Sequence, residues 1–86
     1  MRAPDESYRR ELLAFLQTIA RPEFDLTAVP DSANLVDLGA LDSLAIVLVV
    51  QYLEATHHID LGSLKIDPNR LTSIGQILSI ISAART

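Results

Sequence analysis

Apolar side chains recur at steps of three and four between residues 8 and 19, at Tyr8, Leu12, Phe15, Leu16 and Ile19, the spacing of one helical face. Pro4 and Asp5 suit a first helical turn, and Pro22 biases Arg21 away from helical backbone. The pattern predicts a first helix from about residue 5 to about residue 20. Between residues 22 and 41 the periodicity stops. Pro22, Pro30, Asp31, Ser32, Asn34 and Gly39 supply turn chemistry, while Phe24, Leu26, Val29, Leu35 and Leu38 are spaced as anchors that would pin a long loop on the core.

Residues 43 to 58, SLAIVLVVQYLEATHH, are rich in β-branched side chains. Their length without a breaker exceeds that of an ordinary strand, and Asp42 is a good N-cap, so a second helix is predicted. This helix has two apolar stripes. Ile46, Val49, Val50 and Leu53 form one; Leu44, Val47 and Leu48 form the other, which runs on into Gln51, Glu54 and Ala55. Polar residues join only the second stripe, which is therefore expected to face outward and to leave Leu44, Val47 and Leu48 as an exposed apolar patch suited to binding. The competing expectation is that a loop covers them.

Beyond Gly62, Asp67 and Pro68 open a short third helix to Leu71. Ser73 and Gln76 form a capping box for a last helix whose apolar face is Ile74, Ile77, Ile81 and Ala84, with Leu78 and Ile80 beside it. Gly75 costs that helix about 1 kcal/mol relative to alanine. No internal repeat or low-complexity tract interrupts the chain. The expected fold is all-α: a single domain over residues 1 to 86, built as a small four-helix bundle of three main helices and a short third one, with a long loop between the first two.

Composition narrows what such a fold can do. A chain of 86 residues buries only about 60 to 65% of its unfolded surface, leaving no room for a deep catalytic cleft, so no enzymatic activity of its own is expected. There is no cysteine, which excludes a disulfide framework, a thiolate zinc site and a thiol nucleophile within the polypeptide. Any thiol chemistry has to be imported. The net charge of −4 hides an uneven distribution. Residues 22 to 69 carry eight acids (Glu23, Asp25, Asp31, Asp37, Asp42, Glu54, Asp60, Asp67) against Lys65 alone and net −7. This segment is either a solvated acidic surface or a face that attracts basic partners. With no Lys/Arg cluster, nucleic acid is not an expected partner. No apolar h-region opens the chain, and the longest apolar run, Leu44 to Val50, is seven residues, against the roughly 20 that a bilayer demands. A cytoplasmic monomer without a membrane span is expected.

Candidate chemistry is sparse. Ser43 and His57 invite a hydrolase reading, but 14 residues along one helix put them roughly 21 Å apart, outside hydrogen-bond reach. Ser43 also lacks the second glycine of a G-x-S-x-G elbow. His57 and His58 fall in the last helical turn, where imidazolium complements the dipole, rather than forming a metal site. No metal ligands are assigned. What stands out is Asp37-Leu38-Gly39-Ala40-Leu41-Asp42-Ser43-Leu44, a turn that delivers a serine to the first turn of an apolar helix. Free N–H groups and the positive dipole end favour a phosphate esterified to Ser43.

The stretch DLGALDSLAIVLVVQYLE resembles the acyl carrier protein family, whose core motif is D-S-L at the start of the second helix after a leucine-glycine turn. The order of elements and the TSIGQIL start of the last helix extend the resemblance over nearly the whole chain. It implies that Ser43 carries 4'-phosphopantetheine in phosphodiester linkage, transferred from coenzyme A by a magnesium-using phosphopantetheinyl transferase. Asp42 matches the family's acid beside the serine, and Leu44 the leucine that partners contact; with Val47 and Leu48 they form the expected recognition surface. The implied partners are that transferase, an adenylating or other acyl- or aminoacyl-loading ligase, and a downstream transferase.

Three departures point to a specialised pathway rather than housekeeping fatty-acid synthesis. Ala45, Leu48 and Ala55 stand where family members commonly carry acids on the outer face; Leu41 makes the turn G-A-L-D-S, closer to D-alanyl and other aminoacyl carriers; and Asp60 to Arg70 looks longer than usual, with only two acids. The alternative function is a helical protein-protein interaction module that uses the apolar outer face without any modification.

Overall fold

The computed structural model describes residues 4 to 85 and is all-helical, with no strand among them. Three α-helices, α1 (Pro4–Ile19), α2 (Ser43–His57) and α3 (Ile74–Arg85), are accompanied by two single 3-10 turns, Leu26–Ala28 and Pro68–Arg70. The short third helix expected from Asp67 to Leu71 is the second of these turns. Asp67 caps it by accepting the Asn69 N–H at 2.9 Å, and Leu71, whose side chain is fully buried, ends it. Two to three residues of such geometry make one turn, which is as far as 3-10 backbone usually runs.

On α1 the predicted face is the buried one. Leu12 and Leu16 are fully buried, and Tyr8, Phe15 and Ile19 pack against the core beside them. On α3 Ile74, Ile77 and Ile81 are buried as expected, whereas Ala84 is exposed. Ser73 caps α3, its Oγ accepting the Gln76 N–H at 3.2 Å. Gly75 has a packing reason to be small: a Cβ there would lie 3.2 Å from the Asp31 carbonyl oxygen, which instead accepts the Gly75 N–H at 3.0 Å.

The loop between α1 and α2 is pinned, though not by every expected anchor. Leu26 and Leu35 are buried, and Phe24 and Val29 pack partly against the core. Leu38 is exposed and anchors nothing. Polar groups pin the loop elsewhere: the Gln17 side chain accepts the Leu26 N–H at 3.0 Å and donates to the Phe24 carbonyl at 2.7 Å, and Leu35 N–H donates to Thr72 O at 2.7 Å. A bidentate ion pair between Arg9 and Asp31, 2.6 Å from Nη1 to Oδ2, ties α1 to the same loop. Among the described residues no helix is long and apolar enough to cross a membrane.

Candidate site at the start of the second helix

The approach to α2 is built from a capped turn. Asn34 Oδ1 accepts the N–H groups of Val36 and Asp37, both at 2.9 Å, in the manner of a helix N-cap. Gly39 N–H then returns to Val36 O at 3.0 Å and Ala40 N–H to Leu35 O at 2.9 Å. This is the paired 5→2 and 6→1 bonding of a Schellman motif, with Gly39 at the left-handed position, φ 85°. No atom lies within 4 Å of a Cβ built on Gly39, so backbone conformation rather than crowding requires the glycine. The apolar contact that accompanies this motif falls to Leu35 and Ala40, both buried.

Two residues later the chain enters α2. Asp42 has extended backbone (φ −115°, ψ −176°), and its Oδ1 accepts the Ala45 N–H at 2.8 Å while its carbonyl accepts the Ile46 N–H at 3.1 Å. Ser43 is the first helical residue and is exposed. Of the N–H groups that a helix start leaves without helical partners, the cap takes Ala45's and those of Ser43 and Leu44 remain at the entrance. An anion esterified to Ser43 would lie within this partial positive field.

The outward face of α2 places Leu44 and Val47 in solvent, 67% and 50% exposed, and leaves Leu48 half-buried. Of the predicted inner stripe, Val49 and Leu53 are fully buried, while Ile46 and Val50 are only partly so. The third buried position is Ala45, expected on the outer face. The core line thus runs 45, 49, 53, rotated by about 50° from the centre of the predicted stripe. Apolar side chains occupy both flanks of that line, so periodicity does not fix the rotation, and the small Ala45 is buried in the same core cluster as Leu41 and Ala40 of the entry turn.

Two residues at the site were missed. Val36 and Leu38, in the capped turn before Ser43, are exposed at 38% and 47%. Of the five large apolar side chains exposed among the described residues (Val36, Leu38, Leu44, Val47, Leu64), four fall within the twelve residues from 36 to 47. The signal for them is the Asn34-to-Gly39 cap pattern, which buries Leu35 and turns residues 36 to 38 outward.

The far end of α2 has other work. His58 terminates the helix in the left-handed region (φ 56°), and its N–H and that of Ile59 both donate to Leu53 O. His57 packs edge-on against Tyr8 and Tyr52, with ring centroids 5.6 and 5.5 Å apart. Ser43 and His57 are the first and last residues of α2, so no nucleophile-base pair forms between them. No group of three or more potential metal ligands occurs among the described residues. The surface also holds a polar groove of about 540 Å³ beside the start of α3 and an apolar one of about 440 Å³ between Leu64, Ile66 and the outer side of α3; Ser43 lines neither.

Comparison of the chain with protein-family models, with curated proteins and with solved structures finds no match in any of the three.

Proposed function

We propose that this chain is a phosphopantetheine-dependent carrier protein, modified at Ser43, that holds an acyl or aminoacyl group and presents it to partner enzymes. The observation that carries the reading is the exposed Ser43 as the first residue of α2, between an Asp42 cap and exposed Leu44, at the D-S-L tripeptide that resembles the acyl carrier protein family. The family's four-helix arrangement fits if the 3-10 turn Pro68–Arg70 stands in the place of its short third helix.

The residues present suit the group. Ser43 supplies an accessible hydroxyl, the helix start supplies N–H dipoles toward the phosphodiester, and Asp42 holds that start in register without occupying the serine. In the loading step, Ser43 Oγ attacks the phosphorus of coenzyme A that carries the pantetheine. An O–P bond forms as the pyrophosphate bond to 3',5'-ADP breaks, and the hydroxyl proton passes to a base of the transferase, which also supplies the magnesium. Once bound, the group provides the thiol that the polypeptide lacks and holds cargo as a thioester. The catalysis belongs to the partners: the transferase, a loading ligase and a downstream acceptor enzyme. On this reading the carrier works in the cytoplasm, and the departures at Leu41, Leu48 and Ala55 favour a dedicated pathway.

Incubation with a broad-specificity phosphopantetheinyl transferase and coenzyme A is expected to add the mass of one arm and one titratable thiol, and Ser43→Ala to add neither. No gain in the unsubstituted chain, or a gain that survives Ser43→Ala, would overturn the reading. The exposed apolar patch also favours the alternative of an unmodified interaction module. In that case Ser43→Ala leaves function in the cell intact while a charge at Leu48 abolishes it.

A further inference from the structure

Outside the segment from 36 to 47, the one exposed large apolar side chain among the described residues is Leu64, 56% exposed. Its turn explains the exposure. Asp60 caps the turn through the Ser63 N–H, Leu61 is buried, and Lys65 closes it in the left-handed region at φ 57°. Leu64 and the half-buried Ile66 form one wall of the apolar groove of about 440 Å³. The other wall is α3. Gln76, Ser79, Ile80, Ala83 and Ala84 lie at i, i+3, i+4, i+7 and i+8, a second helical face beside the buried one of Ile74, Ile77 and Ile81. From residue 76 to residue 84 this face is about 12 Å long. Ser79, Ala83 and Ala84 are small, which lets another helix approach α3 toward the short end of the roughly 8 to 10 Å usual between axes.

Charge selects the occupant. Residues 64 to 86 hold Lys65, Arg70 and Arg85 against Asp67 alone, whereas residues 22 to 63 hold seven acids and no lysine or arginine. Arg70 lines the groove and Lys65 lies between the two residues of its ridge; both are exposed, and neither forms an ion pair among the described residues. Asp67 caps the 3-10 turn by accepting the Asn69 N–H. The groove is thus edged by cations in an otherwise acidic molecule. A single alkyl carboxylate would meet Arg70 and leave Lys65 unmatched. A helix with carboxylates along its flanks meets both while its apolar stripe fills the groove. We propose that this groove docks an acidic amphipathic helix of a partner protein, with its apolar side chains between the Leu64–Ile66 ridge and α3 and its carboxylates against Arg70 and Lys65. Ser43 lines no part of the groove, so the inference goes beyond the carrier reading and stands or falls apart from it.

The test titrates the isotopically labelled full chain with a synthetic helical peptide that carries leucine at i, i+3, i+4 and i+7 and glutamate on both flanks. Its counterpart bears lysine in place of every glutamate. The acidic peptide is expected to shift the amide resonances of residues 64 to 70 and 76 to 84, and the basic one to leave them in place. The affinity of the acidic peptide is expected to fall about threefold or more between about 0.05 and about 0.5 M salt. Leu64→Asp and Arg70→Glu are each expected to weaken it about tenfold or more, and Ser43→Ala to leave it unchanged. Leu64 and Arg70 are exposed, and circular dichroism and the melting temperature verify that each variant keeps its fold.

No saturable shift with the acidic peptide, or shifts that gather on α2, would overturn the inference, as would equal binding by the parent and both variants. Decanoate that moves the groove's amides when the acidic peptide does not assigns the groove to a single-chain amphiphile and overturns it too. A dimer in sedimentation equilibrium that Leu64→Asp dissolves assigns the surface to a second copy of this chain instead. None of these outcomes bears on whether Ser43 accepts an arm, which the mass gain decides alone.

Discussion

Tyr52 shows how one hydroxyl sets a local balance. Its ring stacks on Phe15 with centroids 4.3 Å apart and planes 11° from parallel, and meets His57 edge-on. That packing joins α1 to α2, yet it buries the phenol oxygen with no hydrogen-bond partner among the described residues. An unpaired buried hydroxyl costs on the order of 1 to 3 kcal/mol. Burial, and then the charge of Glu11, push the phenol's pKa above the ordinary tyrosine value. The folded state thus keeps a proton that the unfolded state releases first. The stability linked to this group is complete below pH of about 10 and is lost as pH rises beyond it toward the folded value. Tyr52→Phe is expected to keep the stack, raise the free energy of unfolding by about 1 kcal/mol, and flatten the alkaline limb of stability. Urea titrations of both proteins across the alkaline range measure this, and coincident curves would show that the oxygen costs nothing.

At the scale of elements, the chain uses one turn design twice. Asn34 caps the turn that Gly39 closes. Asp60 caps a second turn, accepting the Ser63 N–H at 3.1 Å and its hydroxyl at 2.8 Å, and Lys65 closes it with the same paired bonds, Lys65 N–H to Gly62 O and Ile66 N–H to Leu61 O. The hydrogen bonds from Ser63 hold the Asp60 carboxyl below its usual pKa. The two turns differ at the left-handed position: glycine occupies it at φ 85°, lysine at φ 57°. A side chain there costs about 1 to 2 kcal/mol, which glycine avoids at some expense in unfolded-state entropy. Gly39→Ala is therefore expected to destabilise by about 1 kcal/mol and Lys65→Gly to stabilise by up to about 1 kcal/mol, read from midpoints of denaturant unfolding.

These turns also mark where the sequence stopped being legible. The helices could be located, because each carries either a periodic apolar face or a cap, and Asp42, Ser43, Leu44 and Val47 lie where their pattern put them. The rotation of α2 could not be read, since apolar residues surround most of its circumference and only tertiary contact decided for Ala45 over Ile46. Nor could the outward aim of Leu38, because a leucine in a loop reads as an anchor unless the flanking Asn34 and Gly39 are recognised as the two ends of one capped turn. A single turn such as Pro68–Arg70 carries too few positions for any periodicity to fix its helical type.

Across the whole molecule, residue 31 is a joint. Its side chain pairs with Arg9 of α1, and its carbonyl accepts the Gly75 N–H at the start of α3. The guanidinium's hydrogen bonds hold the Asp31 carboxyl below the ordinary aspartate value and raise the Arg9 pKa in turn. For a carboxylate depressed in the folded state, the linked stability is complete above the unfolded pKa of about 3.9 and is lost as pH falls through the folded value. Both side chains are partly exposed, at 42% and 43%, so the contribution is at most about 1 kcal/mol. Asp31→Asn is expected to lower stability near neutral pH by that amount and to make it less dependent on pH below about 4. Acid unfolding followed by circular dichroism checks this, and parallel pH profiles would remove Asp31 from the account.

The entry to α2 is suspended from both of its neighbours. Leu35 O accepts the N–H groups of Ala40 and Leu41, Leu35 N–H reaches Thr72 O beside α3, and Arg21 N–H reaches Ala40 O from the end of α1. With Leu35, Ala40 and Leu41 all buried, the point from which Ser43 projects is a fixed pivot. On the carrier reading, every ångström that a tethered cargo travels comes from the rotatable bonds of the tether. The effective concentration a docked enzyme experiences is then set by the length and stiffness of the tether, as for two binding modules joined by a linker.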